Sequence, residues 1–244
     1  MLIAMKNLIL AFILGIIFGV LASSVAVRTF PSISPFTRDY MAIQTMFKIF
    51  LMNCFLATLI CYGGVAFSLG ELKLYKSHRV YTILDRTLDP FYFLLDKIFA
   101  GYKADHKPDG TNDTIGIYKK LGSLHRTLYF SISIFSIGCI FLIGFLISFY
   151  FWVFFMLTDI WPNLLIKSLP HLTLEVSVFF ASASIAQQMS STLREHIVQK
   201  KIEKFKAESI KLLKDKKIWR TLVILYIVLF FSAFVERFFT HFKI

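Results

Sequence analysis

The chain has 244 residues, of which 57% are hydrophobic, and its formal net charge is +12. Soluble domains are about 45–50% apolar and carry charge throughout, whereas here long uncharged stretches alternate with basic ones. The composition excludes an ordinary soluble domain and predicts an all-α polytopic membrane protein surrounded by the lipid bilayer. The charge does not indicate nucleic-acid binding, because no base-reading motif accompanies it.

Five apolar segments are each long enough to cross the hydrocarbon core, which needs about 20 helical residues. The predicted spans cover residues 8–27, 47–69, 127–157, 169–188 and 220–239 of a single membrane domain, 1–244. The first is longer than the apolar part of a usual signal peptide, so we expect it to be retained. In that span Gly15 and Gly19 form a small-xxx-small pair, which favours close packing with another helix.

Two polar segments, residues 70–126 and 189–219, separate these spans, and both are strongly basic. Their apolar residues recur at helical spacing, which predicts amphipathic helices on the membrane surface. The second segment is expected to continue the fourth span as one helix as far as Trp219. Because Lys and Arg accumulate on the cytoplasmic side, we expect both segments and the N-terminus in the cytoplasm, and the C-terminus outside the cell membrane.

The fourth span carries the most informative pattern of the chain. It opens with Pro170, and His171 and Glu175 follow one helical turn apart. An ionisable side chain in hydrocarbon costs several kcal/mol unless it is paired or hydrated. Since residues four apart share one helix face, we expect His171 and Glu175 to face other helices. Glu236 of the fifth span is predicted to lie at a similar depth.

A run of small residues follows this polar pair and includes Ala181, Ser182 and Ser184. Small side chains allow a second backbone to approach closely, so the run, with Pro170, predicts a helix-packing surface.

Three interpretations of His171, Glu175 and Glu236 remain open. The three groups can hydrogen-bond to each other and to backbone near Pro170, which would hold two helices together. They can instead form an ion or proton path, or a polar pocket open to the outside. Finally, one histidine and two carboxylates can form a facial set of metal ligands.

The H-E-x-x-H motif of zinc proteases is absent, and so are nucleotide-binding and nucleophile motifs, so we expect no cofactor, no resident metal and no enzymatic activity.

Two segments resemble the stage II sporulation protein M family of multi-pass membrane proteins. One is Pro170-His171-x-x-x-Glu175 with the small-residue run, and the other is Ala233-Phe-Val-Glu236-x-Phe238-x-Thr240. Asn53 and the Gly63-Gly64 pair of the second span are also compatible. Leu172 stands where the family carries glycine. The resemblance implies a membrane-embedded scaffold that works through protein partners, which in the sporulation members degrade peptidoglycan.

Together these patterns favour a non-enzymatic membrane scaffold or assembly subunit. We expect a homodimer through the small face that carries Ala181 and Ser184, with Gly15 and Gly19 as a further contact, and partners in a membrane or cell-envelope complex. The alternatives are a transporter or channel-like protein that uses the His/Glu cluster, and an intramembrane metal-dependent enzyme.

Overall fold

The computed structural model describes residues 2–29, 43–74, 123–157 and 161–241, and within these ranges the regular structure is α-helical. The helices are α1 (Leu2–Thr29), α2 (Ile43–Leu74), α3 (Ser123–Leu157), α4 (Trp161–Val198), α5 (Ile202–Leu213) and α6 (Lys216–His241). All except α5 are long and apolar enough to cross a membrane. The predicted all-α, five-span architecture is therefore confirmed.

The helices extend beyond the predicted spans. α3 has 35 residues and α4 has 38, which correspond to roughly 50 to 60 Å at helical rise. Both exceed the ~30 Å hydrocarbon core, so each must tilt or protrude from it.

Helix α4 is the centre of the bundle, because it packs against each of the other five described helices. Around it, α1 packs on α3, α3 on α2 and α2 on α6, whereas α1 and α6 share no extensive contact. The four outer spans therefore enclose α4 incompletely and leave a gap between α1 and α6. Small residues explain how α4 fits among so many neighbours, since Ser182 and Ala183 are fully buried.

Apolar side chains sort between the interior and the lipid-facing surface. One buried cluster contains Leu8, Ile60, Ile140, Val178 and Leu229 from all five spans. A second buried cluster lies nearer α5 and contains the fully buried side chains of Leu128, Leu193, Ile197, Phe205 and Leu222. Lipid is as apolar as these residues, so close packing and interhelical hydrogen bonds hold such a bundle together.

Glycines bring α1 and α3 into backbone contact. A Cβ at Gly15 would overlap the carbonyl oxygen of Phe141 and would lie 2.9 Å from the nitrogen of Phe145. A Cβ at Gly19 would overlap Ser148, and one at Gly144 would lie 2.5 Å from the carbonyl oxygen of Phe12. We call this contact of Gly15, Gly19 and Gly144 the glycine seam. Since Gly15 and Gly19 already pack against α3 of the same chain, neither offers a surface to a second copy.

The predicted continuous helix from the fourth span to Trp219 is wrong, because the chain breaks twice. At the end of α4 the nitrogens of Lys200 and Lys201 donate to the carbonyls of Ile197 and His196, both at 2.9 Å. This is the Schellman arrangement, and Lys200 adopts the left-handed φ of 56° that it requires. Asp215 then caps the N-terminus of α6, because its Oδ1 accepts the backbone N–H of Lys217 at 2.7 Å.

The first basic segment is described only at its ends, where residues 70–74 belong to α2 and residues 123–126 to α3. The amphipathic helices predicted between these ends lie outside the described residues.

Candidate functional site

The side chain of Glu175 is held by an amide from another helix. Asn53 on α2 donates from Nδ2 to Glu175 Oε1 on α4, over 2.6 Å, and both side chains are half-buried. Sequence reasoning paired Glu175 with histidine and glutamate and did not recognise this partner. A single asparagine in an otherwise apolar run was the available signal, because a polar group in hydrocarbon needs a hydrogen bond.

His171 lies where α4 meets α6. Ser232 of α6 donates from Oγ to the backbone carbonyl oxygen of His171 over 3.0 Å. Pro170 precedes it inside the helix and has no N–H to donate to the preceding turn. Ser232 thus ties the backbone just after the proline to α6, whereas hydrogen bonds of His171, Glu175 and Glu236 with one another and with backbone near Pro170 stay a prediction.

Glu236 follows Ser232 by one turn of α6, so the backbone places it on the same helix face. Its side chain lies outside the described residues, and its approach to His171 or Glu175 stays a prediction. Among the side chains that are described, no group of three His, Cys, Asp or Glu residues is close enough to hold a metal ion.

A second set of polar contacts lies nearer α5 and joins α3 to α4 and α2. Gln187 donates from Nε2 to the carbonyl oxygen of Ser133 at 3.0 Å and to Ser136 Oγ at 2.6 Å. Ser190 donates to the carbonyl oxygen of Ile132. On the other side of α3, Ser131 Oγ donates to the Glu71 carboxylate at 2.9 Å.

Two further contacts complete the polar framework. Thr58 on α2 and Tyr226 on α6 share a hydrogen bond of 2.6 Å between their hydroxyl oxygens. At the other end of the bundle, Trp152 on α3 donates from Nε1 to Ser24 Oγ on α1 at 2.8 Å.

The run of small residues predicted as a packing surface has one side buried in the bundle and another side partly exposed. Ser182 is fully buried in the bundle, whereas Ala181 and Ser184 are half-buried. Ala181 and Ser184 continue a stripe of exposed polar residues, Thr173, Ser177, Gln188 and Ser191, which lie on one helix face. We call these six residues the open face of α4.

The open face differs from the lipid-facing surfaces of the neighbouring helices. Exposed side chains of α1 and α6 are large and apolar, for example Ile13, Phe18, Ile227 and Phe231. Three hydroxyls of the open face, those of Thr173, Ser177 and Ser191, donate back along their own helix, as Ser177 does to the carbonyl oxygen of Thr173 at 2.7 Å. This face is suited to close contact with another helix more than to lipid chains.

One histidine outside the spans has a lowered pKa. His125 lies in the first turn of α3, where burial, and then the nearby Lys200, lower its pKa below the usual 6.5. Its neutral form is therefore favoured where α3 meets the turn between α4 and α5.

No protein-family model, curated protein or solved structure matches this chain.

Proposed function

We propose that the protein is a non-enzymatic membrane scaffold that works by holding partner proteins at the bilayer. The observation that carries this proposal is the distribution of the interhelical hydrogen bonds. Each pair of spans with extensive contact has at least one: α1–α3, α2–α3, α3–α4, α2–α4, α2–α6 and α4–α6.

This distribution favours a fixed shape over an alternating one. Transporters commonly expose a central site to each side in turn by rocking one group of helices against another. Here α2 is bonded to α3, α4 and α6, so such a movement would break several contacts worth about 0.6–2 kcal/mol each. The stage II sporulation protein M resemblance supports the same function, since it implies a multi-pass scaffold.

The proposed setting is the cell membrane, with the N-terminus in the cytoplasm and the C-terminus outside. The basic stretch around α5 supports this orientation, because residues 200–220 hold nine Lys or Arg against three Asp or Glu and such segments stay on the cytoplasmic side. A phosphatase reporter joined after Ile244 should be active, and one inserted near Asp109 should be silent. The reverse result would contradict the orientation.

The open face of α4 is the proposed contact with a second copy of the chain, giving a homodimer. It lies in the gap that α1 and α6 leave, and its residues are too small and polar to be a favourable lipid surface.

The alternative function is a proton or ion pathway through the region of Glu175, and the carboxylate within a span is the observation that favours it. Purified protein in liposomes that contain a pH-sensitive dye separates the two proposals. A scaffold should give no more proton flux than empty liposomes under an imposed gradient, for both wild type and Glu175→Gln. Flux in the wild type that Glu175→Gln abolishes, with the fold retained, would establish the pathway and overturn the scaffold.

The scaffold also predicts stable partners in native membranes. Affinity purification in mild detergent, with quantitative mass spectrometry, should recover a defined set of membrane or cell-envelope proteins with wild type and Glu175→Gln alike. Recovery of no protein above an untagged control would contradict the proposal.

A further inference from the structure

A shallow groove at the beginning of α6 combines positive charge with apolar surface. It has a volume of about 670 Å³ and is lined by Lys216, Trp219, Arg220, Val223 and Ile224. These residues lie within about two turns of the helix, so the groove runs roughly 12 Å along the helix axis, from Lys216 at its charged end to Ile224 at its apolar end.

The charged end is formed by Lys216 and Arg220, which are four residues apart and share a helix face. Both side chains are exposed, and within the described part of the chain neither pairs with a carboxylate. The groove therefore presents two adjacent cations, and further basic residues of the same stretch reinforce their potential.

Trp219 forms a fixed side wall of the groove. Its Nε1 donates to the carbonyl oxygen of Leu213 at 2.9 Å, and its ring lies 5.4 Å from the ring of Tyr62. The side chain nevertheless remains 42% exposed. Tryptophan held at the end of a span is typical of the membrane interface, where one part of the ring meets headgroups and the other meets chains.

The apolar end belongs to the membrane-spanning part of α6. Val223 and Ile224 are more than half exposed, and both lie inside the span Lys216–Val235. A molecule in this groove would thus have its anionic part at the membrane surface and its apolar part against the span.

We propose that this groove binds one anionic phospholipid of the surrounding bilayer. Lys216 and Arg220 bind the phosphate and the headgroup, Trp219 packs beside the glycerol region, and Val223 and Ile224 contact an acyl chain. A lipid fits better than a free phosphate, because most of the groove surface is apolar and a free anion would leave it unused. Net negative charge distinguishes the ligand from a zwitterionic lipid, in which a choline would meet the same two cations.

Native mass spectrometry of the full chain released from detergent tests this proposal. Phosphatidylglycerol or phosphatidylcholine is titrated into purified protein, and the first bound lipid is quantified. Wild type should bind phosphatidylglycerol at least about tenfold more tightly than phosphatidylcholine. The double variant Lys216→Gln/Arg220→Gln should lose about tenfold or more of the phosphatidylglycerol affinity, as expected for two basic residues beside an anionic headgroup.

A matched pair on α5 controls for overall charge. Lys204 and Lys206 are exposed and lie outside the groove, so Lys204→Gln/Lys206→Gln removes the same charge and should change the affinity by less than about twofold. Equal losses in the two double variants would overturn the proposal, because they would indicate unspecific attraction. Equal wild-type affinity for the two lipids would overturn it as well.

The variant Ile224→Trp keeps both cations and fills the apolar end, and it provides a second test if the charge variant folds poorly. It should weaken phosphatidylglycerol binding by about fivefold or more. Unchanged lipid binding in this variant, or displacement of the lipid by glycerol phosphate at an equal concentration, would show an anion site without a lipid chain and would overturn the assignment.

Discussion

A single polar residue, Asn53, joins two spans through its side chain. Its amide donates to Glu175, and leucine in its place would remove that donor from a region without bulk water. We expect Asn53→Leu to lower the free energy of unfolding by about 1–2 kcal/mol. Glu175→Gln should cost less than about half as much, because glutamine keeps an acceptor oxygen. Unfolding in mixed micelles, followed by tryptophan fluorescence, measures both.

The control for this comparison is Ser177→Ala. Ser177 is exposed, and among the described residues its hydroxyl bonds only to its own helix, so its removal should change stability by a few tenths of a kcal/mol. If Asn53→Leu were no more harmful than Ser177→Ala, the contact with Glu175 would not hold α2 against α4.

His125 should make stability depend on pH in a defined direction. Burial and Lys200 lower its pKa in the folded protein, so the unfolded chain takes up a proton at a higher pH than the folded chain does. The contribution of His125 is therefore complete above its unfolded pKa of about 6.5 and is lost as the pH falls through that value towards the folded pKa.

His125→Gln should consequently remove part of the fall in melting temperature between pH 7.5 and pH 5.5. Thermal unfolding of the two proteins in detergent at both values measures this difference. An identical fall in wild type and variant would mean that His125 is equally easy to protonate in both states.

At the scale of the helices, the glycine seam fixes the distance between α1 and α3. Gly15→Ala should lower stability by about 1–3 kcal/mol, because its methyl group would meet backbone atoms that cannot turn aside. Gly138→Ala is the matched control, since its Cβ would have no neighbour within 4 Å. Melting temperatures in detergent should fall for Gly15→Ala and stay level or rise for Gly138→Ala. Equal behaviour would show that α1 can shift away from α3 at little cost.

The short helix α5 is anchored mainly by Phe205, the fully buried large side chain of this helix. Phe205 is 0% exposed and packs in the second buried cluster, whereas most of the remaining surface of α5 is charged. Phe205→Ala removes a fully buried aromatic ring, which typically costs about 3–5 kcal/mol, so α5 should detach. Trypsin should then cleave after the lysines of this helix several-fold faster. Ile210→Ala, at a position that is 40% exposed, should leave the cleavage rate nearly unchanged, and a similar rise there would contradict the anchoring role.

At the scale of the whole molecule, self-association should depend on the open face of α4. Ala181→Leu places a branched side chain on that face and should weaken a crosslinked dimer in membranes by severalfold. Gly138→Leu makes a comparable change at a position with open space around it and should leave the dimer intact. If the crosslinked dimer were unchanged by Ala181→Leu, the contact between the two copies would lie on another face of the molecule.

The architecture could be predicted from the sequence because a span needs only length and apolar character. The break at Lys200 was missed since neither glycine nor proline marks it, and a lysine takes the left-handed position. Asn53 was missed as the partner of Glu175 for a different reason. Which residues of two helices lie opposite each other depends on tilt and rotation, and these follow from packing with all neighbours at once.

The pairing of α1 with α3 also has a consequence for biosynthesis. α1 packs extensively on α3 but shares no extensive contact with α2, the next helix along the chain. Ribosomes deliver α1 to the bilayer first, so the face with Gly15 and Gly19 cannot meet α3 until α3 has been translated and inserted. α4 arrives later still, although it contacts every other described helix. The main partner of α1 is therefore a helix that is made only after α2, and not its neighbour in the chain.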